Sequence, residues 1–377
     1  MTQAPLNAQI ELPEQRFAPQ LAFLEAYDRG PRPPGWRLTP AAVVSFICGA
    51  QGLRCENAPA GLPARMDIPV KFIGDRGLVE RCVITLAGAR ALMLVGEPGT
   101  AKSMLSELLA AAICGSSELT VQGSAGTTED QLRYGWNYAL LLAEGPSEKA
   151  LVPSPVLQAM HSGRIARIEE VTRCLPEVQD ALVPVLSERR LAIPELGEHS
   201  VAARPGFSII ATANLRDKGV TEMSAALKRR FNFEQVDPIA DYAAEVDLVE
   251  SKTRQALDRA QLPSAVDTAV VDALVTIFRD LRVGMTTEGW AVEKPGSVLS
   301  TAEAVAISSS IALSGAYFPG QGGVGQIAGH LLGAVRKDDE ADATRLRAYW
   351  DAVIRRRAEV GGQGPWRQLW EARDHVF

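Results

Sequence analysis

Short apolar runs alternate with amphipathic stretches through the middle of the chain. The run ALMLVG at residues 91–96 is apolar throughout, which is typical of a strand buried on both faces. Strand character recurs in four later segments, at residues 117–123, 164–169, 205–214 and 232–238. Helical periodicity fills the chain around them, at residues 76–88, 102–113 and 175–187. Strands separated by helices predict an α/β fold in which a parallel five-stranded sheet lies between helices.

The strand signals stop after residue 238. The remaining pattern predicts an all-α domain with helices at residues 240–260, 264–282, 301–314, 324–336 and 338–357. The Pro-rich lead-in has helical pieces at residues 21–27 and 40–50, and it is either an adaptor for a partner or a helical pad packed on the main domain. The tail contains two tryptophans and either packs back on the protein or contacts a neighbour. We therefore divide the chain into an N-terminal extension (1–66), an α/β core (67–237), a helical domain (238–360) and a tail (361–377).

Composition narrows the class of protein. The 377 residues are 46% hydrophobic and 22% charged, with a net charge of −6, which disfavours a protein that coats nucleic acid. No apolar run approaches the length of about 18 residues that a membrane span needs. The five cysteines form no CxxC pair, and residues 1–15 lack the pattern of a secretory signal, so we expect a cytoplasmic protein.

The segment GEPGTAKS, residues 96–103, joins the first buried strand to a helix, which is the context of a phosphate-binding loop. Gly96 and Gly99 allow backbone amides to point inward at a phosphate group. Lys102 supplies positive charge to the β- and γ-phosphates of ATP, and the Ser103 hydroxyl completes a Mg²⁺ site. Ala101 stands where glycine is usual, and because alanine accepts right-handed helical angles, we expect it to begin the helix. The other predicted nucleotide contacts are the loop positions Glu97, Pro98 and Thr100.

Two acidic residues, Glu169 and Glu170, follow the third predicted strand. At the carboxyl end of a buried strand they are expected beside the phosphate loop, unless they form only an exposed acidic turn. We predict that Glu169 holds Mg²⁺ directly or through water, and that Glu170 polarises the attacking water as general base. Glu169 is one methylene longer than the usual aspartate.

Polar and basic residues complete the predicted site. Asn214 ends the fourth strand, where its amide orients the water against Glu170, unless it is only a turn residue. The segment EMSAALKRRFNFE, residues 222–234, holds a basic cluster at a helix end. The cluster either compensates the helix dipole or provides an arginine finger for a neighbouring subunit, with Arg230 favoured as its tip and Arg229 second.

Together these segments resemble the AAA+ ATPases, specifically the MoxR-like branch, over residues 71–357. GEPGTAKS is similar to the phosphate loop of that branch, and ATAN at residues 211–214 is similar to its sensor 1. IEEVTR is similar to its D-E-x-N-R segment, with Thr172 and Arg173 at the Asn and Arg positions. KFIGDRGLVERC at residues 71–82 is similar to the opening stretch, and the resemblance implies that the Ile73-Gly74 backbone faces adenine.

Residues 126–146, 169–195 and 299–305 resemble one MoxR-like subgroup, which is commonly encoded beside a von Willebrand A domain protein. The resemblance implies a hexameric remodelling ATPase that acts on a protein substrate with such a partner. Residues 134–155 are predicted to form a hairpin or an insertion in a helix, and residues 195–206 another hairpin. The resemblance implies that both are inserts near a central pore, where Trp136 and Tyr138 either grip a substrate or pack internally. One departure is the lid segment at residues 299–303, which lacks the sensor 2 arginine.

These features favour a chaperone-like ATPase that binds and hydrolyses ATP with Mg²⁺. A slow or non-hydrolysing ATP-dependent switch or scaffold is the alternative from another class, and a metal-chelatase-type motor subunit is the third. No Asn-Lys-x-Asp motif is present to indicate GTP.

Overall fold

A computed structural model describes residues 11–55, 58, 61–197, 199–214, 221–263, 265–296, 299–335, 340–362 and 364–375. The described residues divide into two compact units. The first lies within Met1–Gly96 and Ala101–Val236, and the second lies within Glu97–Thr100 and Asp237–Phe377. None of the described helices is long and apolar enough to cross a membrane.

The strands of the described residues are β1 (Ala50–Arg54), β2 (Arg65–Ile68), β3 (Ala91–Val95), β4 (Thr120–Gln122), β5 (Tyr134–Trp136), β6 (Leu151–Pro153), β7 (Ile165–Glu169), β8 (Arg190–Ala192), β9 (Ser200–Ala202), β10 (Ser208–Ala213) and β11 (Phe231–Gln235). The helices of the first unit are α1 (Pro13–Arg16), α2 (Ala18–Tyr27), α3 (Pro40–Cys48), α4 (Arg76–Ala87), α5 (Lys102–Cys114), α6 (Glu129–Leu132), α7 (Tyr138–Glu144), α8 (Pro155–Ser162), α9 (Pro176–Asp180), α10 (Leu182–Glu188) and α11 (Ala225–Lys228). Those of the second unit are α12 (Tyr242–Arg259), α13 (Thr268–Val283), α14 (Thr301–Tyr317), α15 (Ile327–Val335), α16 (Glu340–Tyr349), α17 (Arg355–Val360) and α18 (Pro365–Glu371).

The five predicted strands form one parallel sheet in the order β11-β3-β10-β7-β4, which confirms the predicted α/β fold. β3 is buried along its whole length because each of its faces meets a different core. Leu92 and Leu94 belong to the core beneath α3, α4 and α5, while Met93 belongs to the core beneath α8 and α10. Since β10 lies between β3 and β7, the sheet brings the carboxyl ends of these three strands side by side.

One predicted helix is wrong in its continuity. The pattern predicts a single helix over residues 175–187, whereas the structure has α9 and α10, which are separated at Ala181. Pro184 explains the break, because proline has no N–H to donate to the carbonyl of Asp180 and its ring clashes with that carbonyl.

The N-terminal helices are a pad packed on the sheet of the first unit, as one of the two interpretations of the lead-in expects. The buried side chains of Leu21, Phe46 and Ile47 belong to the same core as β3 and α5. The Ile47 carbonyl accepts hydrogen bonds from the amides of Lys71 and Phe72. The Lys71 ammonium lies 4.2 Å from the centroid of the Phe46 ring, and burial lowers the pKa of Lys71 to about 8. The sequence pattern missed the adjoining β1–β2 hairpin, whose AQGLR strand has little strand character.

Two further hairpins occupy the predicted inserts. β5 and β6 pair across α7, so residues 134–155 form a hairpin, whereas the second hairpin pairs β8 with β9 and begins at Arg190, earlier than predicted. Trp136 is half-buried and meets the ring of Tyr134 edge-on at 6.0 Å, which is a packing contact. Tyr138 is 69% exposed and Leu142 is 88% exposed, so α7 presents apolar side chains to solvent.

The second unit is helical, as the pattern predicts, and its tail packs back upon it. The predicted helix at residues 264–282 begins later, at Thr268, because the Asp267 side chain caps its first turn; residue 264 lies outside the described residues. Residues 336, 338 and 339 of two other predicted helices also lie outside them, and the last helix contains a π-helical turn at Trp350–Ile354. In α18 the Leu369 side chain is fully buried, and its carbonyl accepts a hydrogen bond from the Trp350 indole.

Leu369→Ala should lower the free energy of unfolding of the second unit by about 2–5 kcal/mol, because it leaves a cavity in a closed core. Urea unfolding followed by tryptophan fluorescence measures this, since Trp350 adjoins the site. Val360→Ala is the matched control, because Val360 is 86% exposed and its truncation should change stability by less than about 0.5 kcal/mol. Equal unfolding midpoints for the two variants would contradict a structural role for the tail.

Candidate nucleotide site

The phosphate-loop segment follows β3 and ends in the first turn of α5. Gly99 has φ of 74°, a left-handed conformation that favours glycine. The Lys102 ammonium donates a hydrogen bond to the Gly96 carbonyl at 2.9 Å, and the Thr100 hydroxyl donates to the Glu97 carbonyl at 2.9 Å. The loop is therefore closed upon itself by its own side chains. Such loops bind phosphate through backbone amides, helped by the positive end of the following helix.

The prediction for Ala101 is wrong. Ala101 is not in the right-handed first turn of α5; it caps the helix with φ of 66° and ψ of 25°, in the left-handed region. The turn into the helix needs the backbone conformation that the usual glycine supplies, and alanine adopts it at a cost of about 1–2 kcal/mol.

Ala101→Gly should therefore stabilise the first unit by about 0.5–1 kcal/mol, because relief of the left-handed strain exceeds the extra entropy that glycine adds to the unfolded chain. Thermal or urea unfolding in the absence of nucleotide measures the change. Ala143→Gly is the control, since Ala143 is an exposed position within α7 and glycine should destabilise there by about 1 kcal/mol. Destabilisation by both substitutions would contradict the strain at Ala101.

Glu169 is the centre of a buried hydrogen-bond network at the end of β7, so it does not belong to an exposed acidic turn. Its Oε2 accepts from the Ser103 hydroxyl at 2.7 Å and from the Thr212 hydroxyl at 2.8 Å. Its Oε1 accepts from the Ser106 hydroxyl at 2.8 Å and from Arg167 Nη2 at 2.7 Å. Burial raises the pKa of this carboxyl, but the hydroxyl donors and the Arg167 charge outweigh it and leave the pKa lowered. Glu169 is therefore ionised.

Ser103 and Glu169 offer oxygen ligands of the kind that Mg²⁺ prefers. Among the described residues no group of three or more His, Cys, Asp or Glu side chains could hold a metal on its own. Mg²⁺ commonly binds through one or two carboxylates together with substrate phosphates, rather than in a cage made wholly by protein. One carboxylate and one hydroxyl beside a phosphate loop fit that mode.

Glu170 follows β7 with φ of 53°, so it shares the left-handed conformation of Ala101. Its amide donates to the Thr212 hydroxyl at 2.9 Å, which itself donates to Glu169. The Glu170 carboxylate is about half-exposed and pairs with Arg173, with Nε and Oε2 2.5 Å apart. Strained backbone held by its surroundings is concentrated at functional sites, and here it turns the second carboxylate away from the buried first one.

The other predicted residues lie in three places. Asn214 immediately follows β10, which lies between the strand that leads to the phosphate loop and the strand that bears the glutamates. Ile73 and Gly74 join the Lys71-Phe72 backbone to α4, whose N-terminus is capped by the Asp75 side chain. Beyond α11, Arg230 donates to the Ser187 hydroxyl and the Ala226 carbonyl of its own chain, while the Arg229 side chain is exposed. Arg229 thus has the more accessible guanidinium of the two.

The lid segment without an arginine has a local role in the second unit. Ser300 caps α14 and forms a capping box with Glu303. The Thr301 hydroxyl donates at 2.7 Å to Glu245, which is fully buried and also pairs with Arg279 and Arg282. These contacts fix the start of α14.

Sequence reasoning missed Arg167, Ser106 and Thr212, the residues that hold Glu169 in place. Arg167 offers the clearest signal, because a charged residue interrupts an otherwise apolar strand two positions before Glu169. Residues two apart in a strand share a face. Ser106 and Thr212 give no such signal, since small hydroxyl residues are common in buried elements.

Comparison with known proteins gives the class first. Residues 91–231 match the family described as AAA domain (dynein-related subfamily), and residues 243–377 match the family described as YehL-like AAA+ ATPase C-terminal domain. With the sheet and loop already described, the chain belongs to the AAA+ ATPases. The wider resemblance noted from the sequence is thereby confirmed, whereas the MoxR-like branch and the von Willebrand A partner stay predictions.

Among individual relatives, the chain is 44% identical to the Escherichia coli (strain K12) protein described as uncharacterized protein YehL, over 99% of each chain. It is 31% identical to uncharacterized protein SH1500 of Staphylococcus haemolyticus, over 55% of this chain and 73% of that one. Among solved structures, NtrX from Brucella abortus in complex with ADP aligns with a TM-score of 0.44 at 15% identity, over 65% of this chain and 51% of NtrX. NtrX in complex with ATP aligns with a TM-score of 0.46 at 14% identity, over 64% and 49% of the two chains.

Proposed function

We propose that this chain is a cytoplasmic ATPase that binds ATP with Mg²⁺, hydrolyses it between subunits of a ring, and uses the cycle to remodel a protein. The observation that carries the proposal is the pair of glutamates with different surroundings beside the phosphate-loop segment. Glu169 is buried and hydrogen-bonded to Ser103, whereas Glu170 is half-exposed on a strained turn. One carboxylate suits a metal and the other suits a water molecule.

In the proposed reaction the loop amides and the Lys102 ammonium bind the phosphates of ATP. Ser103 and Glu169 would hold Mg²⁺, which supplies neutralisation of the phosphate charge. Glu170 accepts the proton of the attacking water, and the Asn214 amide orients that water. The Ile73-Gly74 backbone faces adenine, and Arg229 or Arg230 of a neighbouring subunit stabilises charge on the γ-phosphate.

We further propose a hexameric ring, a von Willebrand A domain partner and a protein substrate, which the MoxR-like resemblance supports. The exposed apolar side chains of α7 support a protein as the substrate, because Tyr138 and Leu142 lie four residues apart on the helix that joins β5 to β6 and therefore share a face. Contiguous exposed apolar groups are typical of protein contact sites.

ATP turnover measured against protein concentration tests the shared site. Specific activity should rise with concentration, and either Arg229→Ala or Arg230→Ala should lower turnover at least about tenfold while ATP binding is retained. Mixing that variant with Glu170→Gln protein should restore turnover, because mixed rings contain sites with one intact glutamate and one intact arginine from different subunits. Activity that is independent of concentration, with no recovery on mixing, would contradict a shared site.

The alternative is an ATP-dependent switch that turns over slowly. The ion pair between Glu170 and Arg173 favours it, because the general-base carboxylate is already engaged. Background turnover at every protein concentration, with ATP binding intact, would establish the switch in place of the motor.

A further inference from the structure

We infer that Arg167 is a positioning residue that sets which oxygen of Glu169 is available to Mg²⁺. The inference rests on the proposed function, since it concerns the metal that accompanies ATP. Arg167 is only 4% exposed although it is charged, and it lies in the middle of β7. A buried arginine in a sheet is costly unless its donors are satisfied, so each of its partners indicates what it does.

The Arg167 guanidinium joins three elements. Nη1 donates to the Ser117 carbonyl at 3.0 Å, in the segment before β4, and to the Thr120 hydroxyl at 3.2 Å, at the start of β4. Nε donates to the Ser106 hydroxyl at 2.9 Å, on α5. Nη2 donates to Glu169 Oε1 at 2.7 Å and to the Ser103 carbonyl at 3.4 Å, and it lies 3.3 Å from a carboxylate oxygen of Glu107. The planar guanidinium is thus fixed at several points, and its position defines the position of Oε1.

The two oxygens of Glu169 therefore have separate partners. Arg167 and Ser106 occupy Oε1, while Ser103 and Thr212 contact Oε2. Only Oε2 is on the side of the hydroxyl that would hold Mg²⁺. Glutamate is one methylene longer than aspartate, and the contact with Arg167 takes up this extra length by drawing one oxygen back into the protein.

The shorter side chain cannot satisfy both groups. An aspartate at position 169 would either keep its contact with the Arg167 guanidinium and withdraw from Ser103, or contact Ser103 and lose Arg167. Because a buried charge pair is strong and hard to break, we expect the pair with Arg167 to persist. In this chain Glu169 held by Arg167 would thus place one carboxylate oxygen where the usual aspartate places its own without such a partner.

The test is the dissociation constant of ATP measured with Mg²⁺ and with EDTA, which needs no turnover. Glu169→Asp should weaken binding at least about tenfold in Mg²⁺ and less than about twofold in EDTA. Arg167→Met combined with Glu169→Asp should recover binding in Mg²⁺ to within about threefold of the wild type, because the aspartate is then free to approach Ser103. Arg164→Met is the matched control, since Arg164 is exposed just before the same strand, and it should leave both constants unchanged.

Glu169→Asp alone tests whether the length of the side chain at position 169 determines Mg²⁺-dependent ATP binding, because it keeps all the charges of the site. Unchanged Mg²⁺ dependence of ATP binding in this variant would overturn the inference. So would a double variant whose loss of ATP affinity in Mg²⁺ equals the product of the losses measured for Glu169→Asp and Arg167→Met separately. If the double variant does not fold, Arg167→Lys with Glu169→Asp replaces it, and the same direction of recovery is expected because lysine cannot hold Ser106 and the shortened carboxylate together. Failure of the wild type to bind ATP under either condition would instead refute the proposed function and this inference with it.

Discussion

Glu170→Gln should reduce ATP turnover by at least about 100-fold and leave the dissociation constant of ATP within about twofold of the wild type. A general base contributes roughly 10²–10⁴ in rate, and glutamine has the same shape but cannot accept a proton. Binding is retained because the Glu170 carboxylate is half-exposed and makes no described contact with the phosphate-loop segment. The hydrogen bond from the backbone N–H of residue 170 to the Thr212 hydroxyl is unaffected by the substitution. Steady-state phosphate release and equilibrium binding of ATP measure the two quantities.

The control for this variant is Glu177→Gln, which removes a similar charge from an exposed position in α9. It should leave turnover and binding unchanged. Retention of more than about a tenth of the turnover in Glu170→Gln would show that another group accepts the proton. Loss of binding together with turnover would show that Glu170 organises the site and does not act in the chemical step.

Arg357→Met should lower the free energy of unfolding of the second unit by about 3–5 kcal/mol, because it leaves the buried Asp280 carboxylate without its cation and also removes the cation that pairs with the exposed Glu288. Arg357 is 6% exposed, and its Nη1 pairs at 2.7 Å with Asp280, which is 2% exposed. Its Nη2 pairs with Glu288 at 2.7 Å, and its guanidinium lies 4.7 Å from the centroid of the Trp366 ring. Urea unfolding followed by tryptophan fluorescence measures the loss, and each unit is to be fitted with its own transition because a two-unit chain need not unfold in one step.

Two comparisons separate the loss of charge from the loss of volume. Arg356→Met, at the neighbouring exposed position, removes only a guanidinium 5.0 Å from the centroid of the Trp290 ring and should change stability by less than about 1 kcal/mol. Adding Asp280→Asn to Arg357→Met should recover part of the loss, because the uncompensated carboxylate is then removed. No recovery in the double variant would indicate that packing of Arg357 against Trp366 accounts for the effect.

The ion pair between Arg357 and Glu288 makes the stability of the second unit depend on pH. The hydrogen bond from Arg357 lowers the pKa of Glu288 from 4.5 to about 2. A carboxylate whose pKa is lower in the folded state contributes stability above its unfolded pKa, and that contribution is lost as the pH falls through the folded value. The difference in stability between the wild type and Arg357→Met should therefore narrow between pH 4.5 and pH 2.

The sheet and the positions of the glutamates could be predicted because they depend on local patterns. A continuous apolar run indicates a strand buried on both faces, and a glycine-rich segment between such a strand and a helix predicts a phosphate loop. Glu169 and Asn214 were expected together because parallel strands end at one edge of a sheet. These arguments need only the order of elements along the chain.

Features that depend on distant residues or on exact backbone angles could not be predicted. Arg167 is satisfied by α5 and β4, and nothing in the sequence near it shows that its partners will meet there. Ala101 has a left-handed conformation imposed by the loop, against the preference of its own side chain. Pro184 is different, because its effect is local and the break at Ala181 could have been predicted from the missing N–H alone.

The two hydrogen bonds that the Ile47 carbonyl accepts have a consequence for how the protein can be dissected. They anchor the backbone immediately before Ile73 and Gly74 to the last turn of α3. Removing residues 11–66 would remove the carbonyl that accepts both hydrogen bonds and the Phe46 ring that contacts the Lys71 ammonium. It would also expose to water the apolar side chains of α5 that pack against these helices. A shortened chain that begins at the sheet would therefore be a poor stand-in for the nucleotide-binding unit. A partner that displaced these helices would loosen the backbone proposed to face adenine. The N-terminal segment is therefore an integral part of the first unit and not a separable appendage.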